Sequence, residues 1–66
     1  MNQEELFRNL ISDGYNFFTG VPDSALKVFQ NKILTSRFPN IIATHESQAL
    51  GIAVGALLAG NKPCVY

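Results

Sequence analysis

The segment Thr44-His45-Glu46-Ser47 gathers an acid, an imidazole and two hydroxyls where an apolar stretch gives way to a second, longer one. Glu46 is the residue that most needs explaining. At a helix N-terminus the dipole favours a carboxylate's charge, while apolar surroundings disfavour it, so its proton affinity is set by that contest. A group placed in this way can be tuned to exchange a proton with a ligand. The competing reading is a plain first-turn glutamate. His45 reads either as a hydrogen-bonded structural histidine or as a proton-transfer group. Earlier in the chain, Gly20-Val21-Pro22-Asp23-Ser24 supplies a second acid and another hydroxyl in a turn-rich loop. Asp23 and Ser24 can each cap the helix that follows or face a ligand, and the two roles are compatible.

The elements that would position these residues follow from spacing. Asn2 with Glu5 three positions later has the form of a capping box, and Leu6, Phe7, Leu10 and Ile11 continue at helical spacing, so a first helix is predicted to end near Gly14. Tyr15 to Thr19 is aromatic and β-prone, and predicts a strand that stops at the Gly20 to Ser24 loop. A second helix follows, with Ala25, Leu26, Phe29 and Ile33 on one face, broken at Phe38-Pro39-Asn40. Ile41 to Thr44 predicts a second strand, apolar throughout as strands covered on both faces tend to be.

The third helix, from about Ser47 to Ala59, is apolar nearly all the way round, which predicts burial. Gly51, Gly55 and Ala59 recur along one side. Interior helix glycines cost about 1 kcal/mol each relative to Ala, so something is expected to pack against the backbone there, either the domain's own sheet or a second subunit. After Gly60-Asn61-Lys62-Pro63, Cys64-Val65-Tyr66 opens a third strand. The order helix-strand-helix-strand-helix-strand predicts an α/β fold with a parallel sheet and right-handed crossovers. Ligands of such sheets gather outside the carboxyl ends of the strands, where both the Gly20 to Ser24 loop and Thr44 to Glu46 fall. The expected site is an apolar-walled pocket with one acid/base carboxylate, a hydroxyl and an imidazole.

Composition narrows the function classes. In 66 residues, five basic side chains balance five acidic ones, and Arg8, Lys27, Lys32, Arg37 and Lys62 form no run, so neither nucleic acid nor a membrane surface is an expected partner. The longest apolar stretch, Ala49 to Ala59, is far short of the ~20 residues that span a bilayer, and Met1-Asn2-Gln3-Glu4-Glu5 has no signal-peptide character. One cysteine, Cys64, cannot pair within the chain and reads as a buried structural thiol, which predicts a cytoplasmic protein. A chain this short buries only about 60% of its unfolded surface. It is therefore expected to be the opening portion of a larger domain.

Three segments together resemble a known family. Phe17-Phe18-Thr19-Gly20-Val21-Pro22-Asp23-Ser24, His45-Glu46-Ser47-Gln48-Ala49-Leu50-Gly51-Ile52-Ala53 and Gly55-Ala56-Leu57-Leu58-Ala59-Gly60-Asn61-Lys62-Pro63 look like the N-terminal pyrimidine-binding domain of thiamine diphosphate-dependent 2-oxo acid decarboxylases, closest to the phosphonopyruvate decarboxylases. Many members have Asn or Gln at the position of His45. The resemblance covers nearly the whole chain, and the order and spacing of all three segments make it more specific than any one.

The resemblance implies that residues 1–66 form the N-terminal part of a pyrimidine-binding domain. The rest of that domain, and a second domain holding Mg2+ and the cofactor's diphosphate, would lie outside them, so this portion would be inactive by itself. It implies that Glu46 is catalytic and hydrogen-bonds the ring nitrogen of the aminopyrimidine of thiamine diphosphate, with the cofactor serving as electron sink. Asp23, Ser24 and His45 would lie on the substrate side, and no residue here would bind a metal. Lys27 and Arg37 read either as phosphonate ligands or as solvated surface charges. The implied reaction is decarboxylation of 3-phosphonopyruvate to phosphonoacetaldehyde in a homo-oligomer with sites shared between subunits. Two alternatives remain open: a sulfopyruvate decarboxylase, whose pyrimidine-binding half can be a separate subunit, and a non-catalytic truncated product or binding remnant.

Overall fold

Asn2 opens the fold as predicted, its Oδ1 accepting the Glu5 N–H at 2.8 Å and so satisfying one of the donors a helix start leaves free. A computed structural model describes the chain from Met1 to Tyr66 and contains three α-helices and three strands. Helix α1 (Gln3–Ser12) ends at Gly14, where φ is +93°; the Gly14 N–H donates to Ile11 O and the Tyr15 N–H to Leu10 O. Gly60 ends the third helix with the same pair of bonds, to Leu57 O and Ala56 O, at the same φ. Both stops need a left-handed residue, which glycine supplies without strain.

Strand β1 (Phe17–Gly20) starts two residues later than its aromatic run. A 3₁₀ turn (Ser24–Leu26) leads into α2 (Lys27–Leu34), then β2 (Asn40–Ile42), α3 (Glu46–Leu58) and β3 (Pro63–Val65). The sheet is parallel throughout, in the order β2-β1-β3, with Thr19 opposite both Ile41 and Val65. Buried Phe18 points to one face and joins Phe29 and Ile33 of α2, with Phe7, Leu10 and Ile11 of α1 packed against them. The Phe7, Phe29 and Phe38 rings surround Phe18 at 5.9 to 6.3 Å between centroids, tilted or edge-on, as aromatic quadrupoles favour. Fully buried Thr19 points to the opposite face, where α3 packs over β1 and β3. Its hydroxyl donates to Ile41 O at 2.6 Å.

Several expectations need correction. Strand β2 was predicted to be covered on both faces, yet Ile41 and Ile42 are 44% and 56% exposed. The cause is topological: β2 is an edge strand, and α3 sits over β1 and β3 instead. Predicted burial all round α3 also fails. Only Ala49, Ala53 and Ala56 are buried, and Leu50, Val54, Leu57 and Leu58 stand open. Gly51 and Gly55 lie off the sheet, with nothing within 4 Å of where a Cβ would stand, so the sheet is not what packs against them. Ala25, expected on the apolar face of the second helix, is exposed. No helix is long and apolar enough to cross a membrane.

Candidate functional site

Chain direction above the sheet decides where a ligand can go. The loop leaving β1 carries Val21 to Ser24 toward α2 on the Phe18 face, while the segment leaving β2 carries Thr44 and His45 toward α3 on the Thr19 face. β1 and β2 are neighbours, and the Ala43 N–H still donates to Gly20 O at 2.9 Å where they part. Ligands of open parallel sheets usually sit outside the carboxyl ends of the strands, and both sequence-predicted segments leave the sheet at that end, though no cavity forms between them in this chain. No hydrogen bond joins the side chains of one segment to those of the other.

At the start of α3, His45 is the N-cap. Its Nδ1 accepts the Gln48 N–H at 3.2 Å and lies 2.8 Å from Ser47 Oγ. Accepting the Gln48 N–H takes the Nδ1 lone pair of the imidazole. Gln48 reaches back in turn, its Oε1 accepting the Thr44 N–H at 2.7 Å and the Thr44 hydroxyl at 2.8 Å. This is a variant of the capping box, with His in the usual Ser or Thr place and Gln48 taking the N–H of Thr44, one residue before the cap, in place of the cap's own. Sequence reasoning passed over Gln48. A Gln three positions after the cap was the available signal, hidden because histidine is an uncommon cap.

Glu46 is the first helical residue of α3. Its side chain is exposed and makes neither a hydrogen bond nor an ion pair. The apolar surroundings expected for it are not formed by this chain, and neither is an apolar-walled pocket. The one surface depression lies elsewhere, between Met1, Asn2, Gln3, Glu4 and Val28.

On the β1 side, Asp23 and Ser24 separate in role. Asp23 Oδ1 accepts the Ala25 N–H at 2.9 Å and caps the 3₁₀ turn rather than α2, which neither residue caps, while the Ser24 hydroxyl has no partner. Lys27 is exposed and unpaired, and the Arg37 guanidinium lies 5.4 Å from the centre of the Phe38 ring. Cys64 is half-buried at the core edge, and burial pushes its thiol above the ordinary range, which disfavours a reactive thiolate. No three His, Cys, Asp or Glu side chains come together in a way that could hold a metal ion. Compared with known proteins, the chain matches no family model and no curated protein.

Proposed function

We propose that residues 1–66 form the opening portion of the pyrimidine-binding domain of a thiamine diphosphate-dependent 2-oxo acid decarboxylase, with Glu46 as its catalytic carboxylate. One observation carries the reading: Glu46 opens α3 just past the carboxyl end of β2, and its exposed carboxylate makes no hydrogen bond or ion pair while His45 and Gln48 take the capping roles. Its remaining structural value is the helix-dipole attraction, about 0.5 kcal/mol at an exposed site.

The two ends of the cofactor make different demands on the chain. A free carboxylate at a helix start can share a proton with a weakly basic ring nitrogen, so the pyrimidine end fits. No metal-ligating cluster exists here, so Mg2+ and the diphosphate rest on a second domain in this proposal. When bound, thiamine diphosphate supplies the electron sink into which a 2-oxo acid can lose carbon dioxide. Glu46 would hold a proton against the pyrimidine ring nitrogen, and any apolar cover that strengthens that hydrogen bond would come from outside residues 1–66. Ser24, with its hydroxyl uncommitted, faces the substrate side. Asp23 shapes the loop that carries it, and His45 fixes the helix that carries Glu46.

The substrate follows the resemblance: 3-phosphonopyruvate, yielding phosphonoacetaldehyde and carbon dioxide, with sulfopyruvate as the alternative. A panel of phosphonopyruvate, sulfopyruvate and pyruvate on the full-length protein separates them. Coding sequence beyond Tyr66 that leads to a Gly-Asp-Gly motif supports the reading further. In the full-length enzyme, Glu46→Gln is expected to keep cofactor affinity within about threefold while lowering kcat about a hundredfold, because an amide cannot exchange the proton. Hydrogen exchange at the thiazolium C2 should slow in parallel. An exchange rate near that of wild type in this variant would remove Glu46 from the chemistry.

A further inference from the structure

Helix α2 begins without a cap of its own: Leu26 stands at its N-cap position and makes no side-chain hydrogen bond. The missing partner comes from another helix. Gln3, in the first turn of α1, accepts the Phe29 N–H on its Oε1 at 2.8 Å and donates from Nε2 to Ala25 O at 2.6 Å. One amide thus holds both a free donor of the α2 start and a carbonyl of the 3₁₀ turn before it. Gln3 is itself half-buried and held on a rigid element, since Asn2 caps the turn it sits in.

The loop that Gln3 grips is the one that leaves the carboxyl end of β1. Within Val21 to Leu26, the other hydrogen bonds are local: Asp23 Oδ1 to the Ala25 N–H, Asp23 O to the Leu26 N–H, Ser24 O to the Lys27 N–H, and Asp23 O to Gln30 Nε2. Leu26 packs against the Phe18 cluster, but Gln3 alone ties this segment by hydrogen bonds to a different part of the chain. We infer that Gln3 is a positioning residue for the substrate-side loop, fixing where Asp23 and Ser24 stand above the carboxyl end of β1. The inference rests on the proposed function for the identity of the ligand, and on the hydrogen bonds for the positioning. Its chemistry needs both halves of the amide, donor and acceptor at once, which Ala and Glu at position 3 do not provide.

The test uses the full-length protein with Gln3→Ala and Gln3→Glu, read by amide hydrogen exchange and by steady-state kinetics on the active 2-oxo acid. Gln3→Ala is expected to speed exchange at Ala25, Leu26 and Phe29 about tenfold while leaving the β1 amides unchanged. It should also raise KM about fivefold, with kcat within about twofold of wild type. Gln3→Glu keeps the acceptor and loses the donor. It is expected to restore Phe29 protection yet leave exchange at Ala25 and Leu26 fast and KM raised. Wild-type exchange and KM in both variants overturn the inference, as does a fall in kcat that tracks lost thermal stability with KM unmoved. If the wild-type protein decarboxylates no 2-oxo acid, the proposed function fails. Exchange at Ala25 and Leu26 then decides the role of Gln3, fast exchange supporting it and unchanged exchange overturning it.

Discussion

His45 and Glu46 are adjacent, polar and both at a helix start, yet the fold gives them opposite tasks. His45 spends its Nδ1 lone pair on the backbone of Gln48, and Glu46 spends nothing. The position of Glu46 at the strand-to-helix junction was legible in the sequence because it depends on a local change from β-prone to helix-prone residues. Its environment was not legible, because what surrounds a first-turn side chain is contributed by distant segments. The cap assignment gives a direct prediction. His45→Ala should lower the unfolding free energy by ~1 kcal/mol, and His45→Asn should keep most of it, since Asn is among the best N-caps. Urea melts of the full-length protein would measure both. If Ala and Asn prove equally costly, the imidazole contributes through packing or charge and not as a cap. Under the proposed function the same comparison bears on Glu46: an Asn cap that preserves α3 should also preserve kcat, because the carboxylate keeps its place.

At the scale of elements, caps and breakers were readable and coverage was not. Asn2 and Gly14 act through bonds within a few residues of themselves, so the ends of α1 fall close to prediction, whereas α2, expected to run from Asp23 or Ser24 to the Phe38-Pro39-Asn40 break, covers only Lys27–Leu34. The apolar character of α3 and β2 states what ought to be covered, and carries no information about which segment does the covering. Gly20 shows a further nonlocal constraint. Tyr66, the residue after β3, lies so close over the carboxyl end of β1 that a Cβ on Gly20 would stand 2.7 Å from Tyr66 Cδ1 and closer still to the Tyr66 carbonyl oxygen. The Tyr66 ring crosses the space above Gly20, edge-on to Phe29 at 6.0 Å, and its hydroxyl donates to Asn40 Oδ1 at 2.7 Å, joining β3 to the start of β2 across β1. Gly20→Ala is therefore expected to cost about 2 kcal/mol, the scale of overpacking a formed core. Adding Tyr66→Ala should relieve the ring contact but not the backbone one, so the pair should recover only part of the loss. A Gly20→Ala protein that melts like wild type would mean that Tyr66 does not approach β1 this closely.

Across the whole molecule, the open apolar surface is concentrated on one helix and the edge beside it. Leu50, Val54 and Leu57 are 61%, 49% and 60% exposed, Gly51 and Gly55 lie bare between them, and no charged residue occurs from Ser47 to Asn61. A patch of this kind is costly to leave in water, and a partner packed there would desolvate no charge. Under the proposed function, each cofactor lies between the pyrimidine-binding domain of one subunit and the diphosphate-binding domain of another, so Glu46, at the start of this same helix, acts across the interface. Small residues along α3 let a neighbouring backbone approach closely. Mixing Glu46→Gln protomers with protomers damaged only in the diphosphate-binding motif then gives hybrid dimers with one doubly damaged site and one intact site. With free exchange about half the dimers are hybrids, so about a quarter of wild-type activity should return from two inactive parents. Native mass spectrometry of the mixture establishes that hybrids form. Hybrids that form and stay inactive would place Glu46 against a cofactor held within its own chain, and the bare face of α3 would then need a different partner.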